Sequence, residues 1–240
     1  MGKGLSAKAE HRVVLTKGFC MDENEATVRE YTKCVEEKAC TEPWRGDPYS
    51  MYPRFPDYPV NMVSWTQARA YCGWLGKRLP SEAEWEWAAT GPEQYKYPWG
   101  NEPEPSCELV DFTKFGAPKM RAGGDVGCNG GGPSPVGTHP KGDRVWPGGH
   151  LHDLAGNVWE WVEDSYEPYA PDLATDPVVR AETAVHALRG GGWNRSYAGM
   201  QVTYRAAADF GYKVPALGMR CVTGDPFTTP PPLSKKKGGS

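Results

Sequence analysis

Glycine and proline interrupt this chain so often that no long regular element can run through it: 29 glycines and 23 prolines fall within 240 residues. Proline removes a backbone donor, and glycine loses the most freedom on ordering, so both shorten helices and strands. Disordered chains share that punctuation but lack aromatics, whereas 12% of this sequence is aromatic and ten residues are tryptophan. The combination predicts a loop-rich fold pinned by large buried rings. Lys and Arg number 27 against 30 Asp and Glu, a formal charge of -3, which gives nucleic acid or an anionic membrane no general electrostatic reason to bind. No apolar run approaches the roughly 20 residues of a membrane span, and residues 1–15 lack the apolar stretch of a signal peptide.

Local patterns divide the chain. Residues 11–21 carry Val13, Val14, Leu15 and then Gly18-Phe19-Cys20, which reads as a strand or hairpin. From Thr27 the apolar period becomes helical, with Val28, Tyr31, Thr32 and Val35 on one face and Thr27 with Glu30 as a capping box, predicting a helix over 27–37. Ser64 with Gln67 opens a second helix, 65–76, and Ser81 with Glu84 a third, to about residue 89. The stretches 44–59 and 91–147 are too long for simple connections and too aromatic for linkers, so they are expected to be ordered surface loops. A flexible terminus is expected over 1–10, one domain over 11–222, and a disordered tail rich in proline and lysine over 223–240.

Four ordered strings identify a family. Residues 64–86 read SWTQARAYCGWLGKRLPSEAEWE, 97–100 YPWG, 153–161 DLAGNVWEW and 189–193 RGGGW. Together they closely resemble the formylglycine-generating enzyme, or sulfatase-modifying factor, family, over nearly the whole of residues 11–222. The resemblance implies an α+β domain related to C-type lectins, loop-rich, with short antiparallel sheets and a few helices. Family members convert a sulfatase cysteine to formylglycine, oxidise small molecules, join sulfur to histidine derivatives, or display a variable ligand-binding surface, so the fold leaves the function open.

By this resemblance, the formylglycine-generating members hold one copper ion through two thiolates just after an RGGS motif, where soft sulfur suits Cu(I). Here the first position is Arg195, the second is Met200 or Gln201, and the motif's serine is Gly192. Neither thiolate is present and no copper is expected. The iron-binding members place their histidines mainly on an additional helical domain, for which this chain has no room. His150 and His152, next to Asp153, alternate as metal ligands on one strand face would, although histidines beside a glycine loop are ordinarily surface residues.

Seven cysteines leave at least one unpaired. The resemblance implies a bridge between Cys72 and Cys221. The family's second bridge would join positions occupied here by Ala89 and Ala206, both of which lack the thiol. Cys34 with Cys40 can staple the first helix to the following loop, and Cys107 with Cys128 can close the glycine-rich loop, which leaves Cys20 as a buried thiol. Such bridges place the protein in an extracytoplasmic, oxidising compartment, its signal peptide missing from this sequence; reduced cysteines would place it in the cytoplasm. The resemblance also implies a structural Ca²⁺ held by Asp153, the carbonyls of Gly156 and Val158, and Glu160. A competing reading pairs Glu160 with Arg189 or Arg220.

Without the copper residues, the segment after Gly192 still carries Trp193, Arg195, Tyr197, Gln201, Tyr204 and Arg205, the composition of recognition surfaces. The expected function is a calcium-stabilised binding module for an unknown peptide, glycan or protein; the competing reading has several of these rings, Trp193 and Tyr204 above all, filling the core. The alternatives are an oxidoreductase with altered metal ligands and a variable display protein of the diversity-generating retroelement kind.

Overall fold

A computed structural model describes residues 12–113, 128–169, 173–181 and 183–224. Residues 1–11 and 225–240, which hold the expected flexible terminus and most of the expected tail, lie outside the described residues.

Three capped helices sit where the spacing predicts. They are α1 (Val28–Glu36), α2 (Trp65–Trp74) and α3 (Glu82–Thr90). In each, the hydroxyl of Thr27, Ser64 or Ser81 accepts the N–H three residues on, and the Glu or Gln there accepts the cap's own N–H. Two of the four orphaned N–H groups at each helix start are thereby satisfied locally. The second helix stops two residues before the expected end, because Gly76 takes φ +71° and turns the chain.

The strands are short: β1 (Val13–Val14), β2 (Cys20–Met21), β3 (Arg144–Trp146), β4 (Gly149–Leu151), β5 (Trp159–Ser165), β6 (Ala174–Thr175), β7 (Val185–Arg189), β8 (Ala206–Asp209), β9 (Leu217–Gly218) and β10 (Val222–Thr223). The largest sheet has the order β8-β7-β5-β9, with β5 antiparallel to β7 and parallel to β9. All seven residues of β5 are buried, so it reads as a continuous core strand instead of an alternating one. Residues 12–21 contain two strand segments, as one of the sequence readings has it, but no hairpin. Instead β1 pairs in parallel with β6 and β2 pairs antiparallel with β10, contacts fixed far along the chain. The last pair also carries Thr223 into the fold, one residue beyond the expected end.

Large rings tie α2 and α3 to β5 by their polar ends. Trp161 Nε1 donates to Val63 O at 3.0 Å, Trp65 Nε1 to Val162 O at 2.9 Å, and Trp85 Nε1 to Glu160 Oε2 at 2.7 Å. A fully buried indole removes roughly 150–250 Å² of surface from water, worth about 4–6 kcal/mol at 25 cal/mol per Å². That exceeds any helix-propensity term in this chain. Trp44 and Trp87, by contrast, remain exposed.

Three disulfides join Cys34 to Cys40, Cys72 to Cys221, and Cys107 to Cys128, as expected. Cys20 is free but exposed rather than buried, because β2 lies at the edge of a two-stranded pair.

Candidate functional site

The glycine run after β7 is built for close approach. Gly190 and Gly191 have φ of +91° and +79°, and a Cβ on Gly191 would lie 2.5 Å from Met200 Cε and 2.6 Å from Gly199 O. The run therefore lets the short 3₁₀ turn Tyr197–Met200 pack directly on the end of β7. Arg189, at the end of β7, is wholly buried and anchored by Glu82 at 3.1 Å, by Glu86, and by Val202 O at 2.8 Å.

This turn presents an aromatic and cationic face. Trp193 is buried with its N–H on Asn157 O at 2.7 Å, and its ring tilts against Tyr49 at 5.2 Å between centroids. Arg195 is exposed, with its guanidinium over the Trp159 ring, and Trp159 in turn tilts against Tyr204. Tyr197 is 54% exposed, while Gln201 and Tyr204 are half-buried. Trp193, only 5% exposed, packs in the core cluster with Trp159 and Leu217 instead of lying on the expected surface. Arg205 also departs from that surface. It is only 6% exposed, and its Nε and Nη2 reach Glu82 at 2.5 and 2.7 Å. Alternation along the chain turns it away from Tyr204 and into the ion-pair network beneath α3.

Tyr49 and Trp159 belong to the same face, and sequence reasoning missed both. Trp159 sat inside a motif read for calcium. Tyr49 lies in an aperiodic loop, positioned by Asn61, whose Nδ2 donates to Tyr49 O at 2.8 Å and Pro215 O at 2.7 Å; no local pattern marks it.

At the family's copper positions the chemistry is different. Arg195 offers a fixed cation. Met200 is buried in a cluster with Tyr97, Leu109, Val110 and Phe112, so its thioether serves packing. Among the described residues no group of three or more His, Cys, Asp or Glu side chains lies close enough together to hold a metal ion. His150 and His152 instead bring Nδ1 to within 3.1 and 2.9 Å of Asp143 Oδ2.

A cation in the Asp153–Glu160 loop would need carboxylate oxygens that the protein leaves free. Asp153 adopts φ +53° and accepts Gly137 N at 2.6 Å through Oδ2, while His139 stands 4.0 Å from Oδ1. Glu160 is wholly buried and occupied. Arg220 Nε lies 2.9 Å from both carboxylate oxygens, Nη2 lies 2.8 Å from Oε1, and Trp85 donates to Oε2. The remaining Arg220 donors go to the carbonyls of Asp22, Glu23 and His152. The loop therefore pairs Glu160 with Arg220, the competing sequence reading, and leaves Asp153 as the carboxylate with an oxygen to offer.

Negative charge is nevertheless in excess here. Glu25, Asp111, Asp153 and Glu160 are all buried around this loop, with the buried guanidinium of Arg220 facing Glu25, Asp153 and Glu160. Burial, then the charges of Asp153 and Glu160, push Glu25 well above the usual carboxylate range. Burial raises Asp153, and raises Asp111 to about 7. Asp111 Oδ1 has no hydrogen-bond partner among the described residues. Glu160, saturated by Arg220 and Trp85, does not fit a hard cation, and of the loop's two carboxylates only Asp153 keeps an oxygen for one.

Fold and face together define a C-type-lectin-like α+β domain whose glycine turn presents arginine and aromatic rings. The model of the sulfatase-modifying factor enzyme 1-like domain matches residues 1–224, and the chain belongs to that family. It is 38% identical over 170 residues to the inactive C-alpha-formylglycine-generating enzyme 2 of Bos taurus, covering 70% of this chain and 51% of that protein. It is 37% identical over 146 residues to the formylglycine-generating enzyme of Streptomyces coelicolor, covering 58% of this chain and 43% of that protein. The chain thus spans about half the length of the curated relatives it matches. In three dimensions it resembles Treponema denticola variable protein 1, with a TM-score of 0.68 at 21% identity over 92% of this chain and 90% of that one. No helix among the described residues is long and apolar enough to cross a membrane.

Proposed function

We propose that this chain is a non-catalytic binding module of the sulfatase-modifying factor family, which recognises a peptide, glycan or protein over the face formed by Arg195, Tyr197, Gln201 and Tyr204, with the buried Trp193 ring behind it. The observation that carries this reading is what stands at the copper positions: an exposed arginine stacked on Trp159, and either the core-buried Met200 or the half-buried amide of Gln201. Neither position supplies a thiolate, and a fixed positive charge opposes a metal ion at the first position. The name of the bovine relative, an inactive formylglycine-generating enzyme, supports the same direction. Calcium enters as a stabilising ion beside Asp153. The three disulfides support an extracytoplasmic location.

Purification under metal-replete conditions followed by elemental analysis, with aerobic incubation against a cysteine-bearing sulfatase peptide, tests the reading. The expected result is neither stoichiometric copper or iron nor aldehyde formation by mass. Stoichiometric copper or iron would favour the oxidoreductase alternative, and aldehyde would overturn the proposal. The display-protein alternative requires residues 194–216 to vary among sequences of one source; invariance there removes it.

A further inference from the structure

The loop from Trp44 to Phe55 carries a second patch, beyond the face after Gly192. Trp44 is 50% exposed, and its indole lies back against Gly46, where a Cβ would come within 2.4 Å of Cζ2. The missing side chain seats the ring against backbone and leaves its outer surface to solvent. Beside it, Arg45, Asp47, Ser50, Tyr52 and Arg54 line a cavity of about 400 Å³. Each arginine is held over a ring, Arg45 over Tyr52 and Arg54 over Phe55, both at 5.3 Å. Arg54 Nη2 is further fixed by the carbonyls of Pro48 at 3.1 Å and Ser50 at 2.9 Å. Arg45 pairs with the exposed Glu42, a contact of little strength in water and open to exchange. Asp47 Oδ1 accepts Tyr49 N at 2.8 Å, which holds this half-buried carboxylate at the cavity.

These groups specify complementary chemistry. A seated, exposed indole stacks on a flat ring face. Arg45 offers forked donors to an oxyanion, and Arg54, whose Nη2 is taken by the Pro48 and Ser50 carbonyls, adds single donors from Nε and Nη1 at reduced entropy cost. Asp47 accepts hydrogen bonds from hydroxyls while repelling a second carboxylate placed beside it. An acidic peptide would use the arginines but not Asp47; a sugar ring bearing one anionic substituent uses all three features. We infer that the Trp44–Arg45–Asp47–Arg54 patch is a binding site for an anionic saccharide, its oxyanion a carboxylate or a sulfate.

Titration calorimetry at low ionic strength tests this with a galacturonate tetrasaccharide, a sulfated chondroitin tetrasaccharide, neutral cellotetraose and a hexaglutamate peptide. Saturable binding of one or both anionic sugars is expected, weakening as salt rises, with cellotetraose at least tenfold weaker. Preference between the first two identifies the oxyanion. Trp44→Ala and Arg54→Ala should each weaken binding by about tenfold, a loss of 1.4 kcal/mol, with unchanged melting temperatures, whereas Arg195→Ala should leave it intact. Hexaglutamate binding as tightly as the sugars, absence of binding by both anionic sugars, or full binding by the Trp44 and Arg54 variants would overturn the site. An effect of Arg195→Ala alone would assign the sugar to the other face.

Discussion

Glu160 shows how completely one buried side chain's role depends on its neighbours. In the sequence it is a candidate calcium ligand, and in the fold it is the counter-charge of a wholly buried arginine. Glu160→Gln should therefore cost about 3–5 kcal/mol by leaving Arg220 unpaired, and urea unfolding should show that loss equally with and without chelator. Asp153→Asn is the variant that reports on calcium: the parent's melting temperature should fall on chelation and that of the variant should not. A parent indifferent to chelator would remove the ion from the account. Asp164 makes a separate pH prediction. Its carboxylate accepts Glu82 N and Val179 N, each at 2.8 Å, yet burial raises it to about 6. An acid raised on folding binds its proton more tightly in the native state, so stability should fall as pH rises from about 4 to about 6. Asp164→Asn should lower stability at every pH, by leaving one N–H facing an amide donor, and flatten that slope in thermal melts.

The helices were legible because their signals are local. Thr27, Ser64 and Ser81 each stand three residues before a Glu or Gln, and both halves of every box close within one turn. Ser81→Ala should cost about 1 kcal/mol, measurable as a shift in denaturation midpoint at unchanged slope. Val13-Val14 and Cys20 marked β1 and β2 as strand, but the pairing of these short strands was not legible, since a two-residue segment carries no usable period. β1 is a strand because Ala174 and Thr175 lie beside it, and β2 because Val222 and Thr223 do. The DLAGN loop belongs between these cases: its glycine is readable, but the reason for it is distant. A Cβ on Gly156 would lie 2.3 Å from Asp111 O at φ +79°. Gly156→Ala should accordingly destabilise by several times the ~1 kcal/mol of an ordinary glycine substitution.

Across the whole molecule, the Cys72–Cys221 disulfide ties the second helix to the end of the fold over 149 residues of sequence. Chain entropy assigns such a loop up to roughly 5 kcal/mol. The paired replacement of both cysteines by alanine should lower the urea midpoint more than the paired replacement of Cys34 and Cys40, whose loop is only six residues. The reverse order would place the stabilisation in local packing instead. By itself the sequence determined the family, the three helix starts and the loss of the copper thiolates, because each is written in residue identity or in spacing within a few positions; the Cys72–Cys221 pair came only through the resemblance, since 149 residues separate its partners. Only the tertiary structure decided that Glu160 faces Arg220, that Arg205 turns inward to Glu82 while Arg195 stays in solvent, and that Tyr49 joins Trp193. Those outcomes depend on which distant segments are packed together, and a charged or aromatic side chain takes its role from the partner it meets there.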